Sequence, residues 1–223
     1  MKILVTSDHH GSPESFHKTF VKAKKEQPDT LAICGDITHF GSLKEAKELM
    51  SPLADLRFPI FIVPGNCDPL SLTEDCVPGI NSIHGRCQAC GDFFFVGIGS
   101  GTQSPFNTPF ELTEEEIKNK LAQGFKYCPI KHPFILVSHS PPRNTKLDRT
   151  LTGKHVGSLS LRMFIEKEKP SLILCGHIHE ALGTDKIGKI TLVNPGPARN
   201  GCCAIVKINE NNEDIEVKLS RLG

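Results

Sequence analysis

No apolar run in this chain approaches the length of a bilayer span, which excludes a transmembrane helix. Charge of one sign is also lacking: 26 Lys and Arg stand against 25 Asp and Glu. A net charge of +1 offers no broad basic surface to neutralise many phosphates, so long nucleic acid is disfavoured as a partner. There is no solenoid period and no low-complexity tract. No linker is long or polar enough to divide the chain, and residues 1–223 are read as a single domain. The first strand is expected to begin at Lys2, leaving no room for a positively charged leader, so the expectation is a soluble, cytoplasmic protein. Nine cysteines are an odd count in a chain of 223 residues, large enough to fold without staples, and read as reduced thiols.

What is present is a repeated pattern of buried strand followed by polar stretch. The apolar runs are Ile3-Leu4-Val5, Leu31-Ala32-Ile33-Cys34, Ile60-Phe61-Ile62-Val63, Phe134-Ile135-Leu136-Val137, Leu172-Ile173-Leu174-Cys175 and Ile190-Thr191-Leu192-Val193. Each ends in chemistry-bearing residues: Asp8-His9-His10, Gly35-Asp36, Gly65-Asn66-Cys67-Asp68, His139, Gly176-His177-Ile178-His179 and Asn194-Pro195-Gly196. The open crevice of an α/β sheet lies at the carboxyl ends of its strands, so these residues should converge.

The helices announce themselves by their starts. Ser12-Pro13 caps a helix running to about Glu26, with Phe16, Phe20 and Ala23 at helical spacing. Ser42 with Glu45, and Thr113 with Glu116, have capping-box spacing. A fourth helix spans Ser158 to Lys169, stopped by Pro170. Strand-to-helix units imply parallel pairing with helices on the sheet faces. Residues 80–98 and the segments 204–208 and 215–219 are short and β-rich and read as hairpins. The expected architecture is α/β, with two mixed sheets. Cys87-Gln88-Ala89-Cys90 lacks a second ligand pair and reads as part of a hairpin.

Asp8 and His10 stand two apart after the first strand, and His177 and His179 repeat that spacing. Asp36 follows a glycine that lets the backbone approach closely. Carboxylate and amide oxygens with four imidazoles suit borderline divalent metals, such as manganese, iron, zinc or nickel, better than magnesium or calcium.

With these motifs the chain resembles the calcineurin-like metallophosphoesterases, in their small prokaryotic branch. The matching runs are Asp-x-His, Gly-Asp, Gly-Asn-x-Asp, a lone His and Gly-His-x-His, between Asp8 and Gly196. The resemblance implies a pair of β-sheets sandwiched between helices, an αββα arrangement. It implies one metal held by Asp8, His10, Asp36 and His179, and a second held by Asp36, Asn66, His139 and His177, with Asp36 shared. Two ions roughly 3.5–4 Å apart can share a hydroxide and stabilise phosphoryl charge during in-line attack on a small phosphomonoester or phosphodiester. Asn66 carries both an oxygen for a metal and N–H groups for substrate.

Two positions depart from the family pattern. Residue 67 is Cys where the family has an acidic His, and residue 39 is His where it has Asp or Asn. A thiol, with a reference pKa of about 8.5, suits neutral-pH acid catalysis less well than imidazole at about 6.5. Cys67 remains open as proton donor, metal ligand or packing residue. The family role of Asp68, orienting the acid, is open with it, and His39 and His9 are alternative donors. Loops 100–110 and 140–157 are expected to contact the ester group, the second with Arg143, Lys146, Arg149, Lys154 and His155. A metal-binding interaction scaffold and a nuclease are the alternative functions. Nothing in the sequence specifies an oligomeric state.

Overall fold

The computed structural model describes residues 1–129, 133–209 and 214–223. In chain order the elements are β1 (Lys2–Thr6), α1 (Pro13–Glu26), β2 (Thr30–Ile33), α2 (Leu43–Met50), β3 (Ile60–Ile62), β4 (Ile80–Ser82), β5 (Cys87–Cys90), β6 (Phe93–Ile98), β7 (Gly101–Thr102) and β8 (Glu111–Leu112). Then come α3 (Glu114–Phe125), β9 (Phe134–Ser138), α4 (Leu159–Glu168), β10 (Leu172–Leu174), β11 (Gly183–Ile187), β12 (Ile190–Asn194), β13 (Cys202–Ile208) and β14 (Ile215–Arg221).

Two six-stranded mixed sheets result, ordered β14-β13-β1-β2-β3-β4 and β11-β12-β10-β9-β6-β5. In each, the central strands run parallel and antiparallel partners close an edge. Alternation along the strands sorts the apolar side chains into layers. Ile3, Val5, Phe61 and Val63 meet Phe95, Ile135, Val137 and Leu174 between the sheets. Leu4, Leu31 and Ile62 pack with Phe16 and Ala23 of α1 and with Leu49 of α2. Leu136, Ile173 and Leu192 pack with Ile117 of α3 and Ile165 of α4. This is the expected four-layer αββα arrangement.

The caps are those the sequence announces, with one exception. Ser12, Thr113 and Ser158 each accept a backbone N–H three residues on, and Thr113 with Glu116 completes a reciprocal box. At α2, Ser42 accepts the Glu45 N–H, but no return bond from the Glu45 side chain forms. α4 ends on Lys169 in the left-handed conformation, just before Pro170.

The hairpin expected over residues 80–98 forms only in its second half. β5 and β6 pair antiparallel about Gly91-Asp92, whereas β4 joins the other sheet parallel to β3. Three residues carry no periodicity, and a long-range register alone decides their partner. β13 and β14 form the expected hairpin. The thiols of Cys87 and Cys90 are pushed above their ordinary values by burial, and all nine cysteines are free. Among the described residues no helix is long and apolar enough to cross a membrane.

His84, which follows β4, escaped the sequence reading. It is buried against Phe110, and its Nδ1 accepts the Gly99 N–H at 2.9 Å. Burial, then the charges of Lys120 and Arg86, lower its pKa to about 4. Below pH 6.5 the unfolded chain takes up a proton that the folded one refuses, so stability should fall between pH 6.5 and 4. The loss is on the order of 2–3 kcal/mol. Denaturant titrations of wild type and His84→Gln across that window should show the extra slope in wild type alone.

Candidate metal centre

The polar stretches converge at the strand ends of both sheets. Asp8 and His10 leave β1, Asp36 leaves β2, Asn66 leaves β3, His139 follows β9, and His177 and His179 follow β10. Four of these residues hold the left-handed backbone: Asp8 (φ 56°), His10 (φ 47°), Asp36 (φ 53°) and His177 (φ 72°). Strain concentrated in this way marks a functional site. Backbone hydrogen bonds fix the first two loops together, from Asp8 N–H to Gly35 and from His10 N–H to Asp36. A Cβ on Gly35 would collide with the His139 ring, and one on Gly176 with Ser7 and Asp8. Both glycines are therefore conditions for the loops to meet.

Asp36 lies at the middle. It is buried, with Oδ2 3.6 Å from His10 Nε2 and Oδ1 3.5 Å from His139 Nε2. Its Oδ1 also accepts the Cys67 N–H at 2.9 Å. On one side, Asp8 Oδ1 lies 3.4 Å from His179 Nε2, and the Nε2 atoms of His10 and His179 are 3.0 Å apart. On the other, His139 Nδ1 donates to the Cys34 carbonyl at 2.7 Å, which turns Nε2 towards the site, 2.9 Å from Asn66 Oδ1. The His177 ring packs edge-on against His139, and the His177 backbone N–H donates to Asp8. Two overlapping donor groups, Asp8 with His10 and His179, and Asp8 with Asp36 and His139, each lie within 4.8 Å.

The imidazoles divide: His10 and His177 are lowered, whereas the Asp8 hydrogen bond raises His179 and, outweighing burial, the Asp36 and Asp8 charges raise His139. Burial lowers His10 to about 4 and His177 to about 3, so both present free nitrogens at neutral pH. Burial would raise Asp8, but the His179 hydrogen bond and the charges of His139 and His179 outweigh it and hold the carboxyl well below its ordinary value. Burial, and then the Asp8 charge, push Asp36 the other way. Two buried carboxylates this close want positive charge between them. The convergent nitrogens and oxygens suit a pair of borderline divalent ions.

Several expectations are corrected or refined. Asp68 faces the loops: its carboxylate accepts N–H bonds from Ile37, Thr38 and Gly65 and the Thr38 hydroxyl. It ties the Gly-Asp loop to the Gly-Asn loop. His9 is not available as a proton donor, because it turns to α1, bonds Ser15 and Thr6 and stacks on Phe16. Asn194 braces the last loop, donating to the Ile178 carbonyl. His39 is exposed beside His10, with ring centres 5.4 Å apart. Cys67 is buried; burial and then the Asp36 charge push its thiol far above the ordinary range.

A cleft of about 520 Å³ opens from Asn66 and His177 between loops 100–110 and 140–157. Arg143, His155 and the exposed Phe106 line it; Lys146, Arg149 and Lys154 are not among its lining residues. The sequence reading missed Asp148, a buried carboxylate that accepts from Thr145, Gly157 and His155 and organises the second loop. Its signal was the capping-box spacing Thr145-x-x-Asp148.

Residues 1–181 match the family model for calcineurin-like phosphoesterases. An uncharacterized protein of Methanocaldococcus jannaschii is 42% identical over 205 residues, 88% of each chain. A probable cyclic nucleotide phosphodiesterase of Rhodopseudomonas palustris is 24% identical over 200 residues, covering 82% of this chain and 73% of its own. A crystal structure from Thermus thermophilus superposes with a TM-score of 0.74 at 17% identity, covering 100% of this chain and 99% of the other. With its fold and motifs accounted for over this length, the chain belongs to the calcineurin-like phosphoesterase family.

Proposed function

We propose that the protein is a dinuclear-metal-dependent phosphoesterase acting on a small phosphomonoester or phosphodiester, with residues 1–223 as one catalytic unit in the cytoplasm. The observation that carries this reading is the buried Asp36 carboxylate, whose two oxygens face His10 and His139 on opposite sides. Asp8, His10, Asp36 and His179 would hold one ion, and Asp36, Asn66, His139 and His177 the other. Bound there, two divalent ions bring the pKa of water towards neutrality and neutralise charge on phosphoryl oxygens.

The chain's own groups supply the rest. Asn66 turns its carbonyl to His139 and, with one amide N–H on the Cys67 sulfur, keeps the other for a phosphoryl oxygen. Arg143, in the cleft wall, orients the anionic ester. His39, open to solvent beside His10, donates the proton to the leaving oxygen, a task for which the Cys67 thiol is too weak an acid. Likeness to a probable cyclic nucleotide phosphodiesterase makes a phosphodiester the first substrate to try. A pure scaffold has no chemical use for this donor set.

Chelator-stripped protein given manganese, iron, zinc or nickel should cleave a bis-aryl phosphate, and absence of turnover with every ion bound would rule the reading out. His39→Ala should slow esters with poor, alkoxide-like leaving groups by about 10²-fold while leaving activated aryl esters nearly unchanged. Equal effects on both ester types would show that His39 is not the donor.

A further inference from the structure

Residues 39 and 67 are the two places where the sequence leaves its family's pattern, and the fold brings them side by side. Ligand atoms of His10 and His39 and the Sγ of Cys67 all lie within 4.8 Å of one another. The main chain holds Cys67 in place: its N–H donates to Asp36, and its carbonyl accepts from Phe40 N–H at 3.0 Å and from the Thr38 hydroxyl at 3.1 Å. The Asn66 amide donates to the sulfur at 3.5 Å, so Sγ already serves as an electron-pair donor. His39 is exposed and offers an entry route. His10 itself carries a buried Nδ1 without a partner among the described residues. Both departures thus substitute transition-metal ligands, one nitrogen and one sulfur, at adjacent positions.

We propose that His10, His39 and Cys67 form a site for a thiophilic divalent cation, zinc in the first instance, at the rim of the oxygen-and-nitrogen centre. Two imidazoles and a thiolate leave one tetrahedral position open, a donor set that favours zinc over harder ions. When the sulfur–metal bond forms, the thiol proton passes to solvent; the negative charges of Asp36 and Asp68 that oppose ionisation of the bare thiol attract the incoming cation. His10 belongs to this group and to the Asp8–His179 group alike, so occupancy here competes with the neighbouring centre. It also occupies the His39 imidazole, and zinc in excess should therefore inhibit hydrolysis.

The direct test reads the metal's ligands and does not depend on turnover. Titrating the chelator-stripped full chain with cobalt(II) should produce a near-ultraviolet sulfur-to-cobalt charge-transfer band. Cys67→Ser should lose the band, His39→Ala should reach it only at higher cobalt, and Cys76→Ser should leave it unchanged. Should Cys67→Ser not fold, X-ray absorption of the cobalt-loaded wild type reads the same feature as one sulfur neighbour, and its absence there overturns the site; His39→Ala should show less of it at the same sub-saturating cobalt. No band at cobalt saturation, or a band that survives Cys67→Ser, overturns the site.

Discussion

Asp36→Asn is expected to lower metal-dependent kcat/KM by at least about 10³-fold, equivalent to roughly 4 kcal/mol of transition-state stabilisation. Asparagine keeps the shape, and its side-chain oxygen can still accept the Cys67 N–H that Asp36 Oδ1 accepts at 2.9 Å. What it removes is the charge that faces His10 at 3.6 Å and His139 at 3.5 Å. Asp36 is the carboxylate common to both proposed ligand sets, so the loss should exceed that from a ligand serving one set, such as His179. The variant should unfold at a temperature close to that of wild type. Activity within tenfold of wild type at saturating metal would show that Asp36 is not shared.

Asp68→Ala should have its effect on stability first, with a loss of about 2–4 kcal/mol. Three backbone N–H groups, of Ile37, Thr38 and Gly65, converge on this carboxylate in a fully buried setting. Each unpaired buried donor costs about 1–3 kcal/mol, so the summed loss would be larger were the carboxylate itself at ease. It is not: burial and then the Asp36 charge raise its pKa to about 6 despite those donors, and removing it relieves that repulsion. For a domain of this size the net loss corresponds to a fall in Tm of roughly 10 °C. Asp68→Asn, which retains one acceptor oxygen, should lose about half as much. An unchanged Tm with lowered activity would instead give Asp68 the orienting role that its family motif suggests.

The parts of the fold that were legible in the sequence are those whose signals are local. The buried cores of β1, β2, β9 and β10 read as short apolar runs, and α1 and α3 read from their caps, because burial and capping leave marks on neighbouring residues. β11 went unseen because its Gly183-Thr184-Asp185-Lys186 run is polar; it exists by pairing with β12 at a sheet edge. β4 joined an unexpected sheet for a related reason, since nothing within three residues specifies a partner. Likewise, the candidate ligands were named from strand-end positions. The direction each side chain takes was not readable: His9 and His10 are neighbours, yet one turns to α1 and the other to Asp36. Left-handed φ at His10 but not at His9 sends the chain round that corner. The approach of His39 to Cys67 was equally hidden, because it depends on how two loops from different strands are tied by Asp68.

The most direct measurement is the hydrolysis rate of a bis-aryl phosphate by chelator-stripped protein as manganese is added, with bound metal counted at every point. A two-ion centre around Asp36 gives no turnover in chelator and a rise that reaches its plateau at two ions per chain. Turnover that persists in chelator, or a plateau at a single ion per chain, contradicts it.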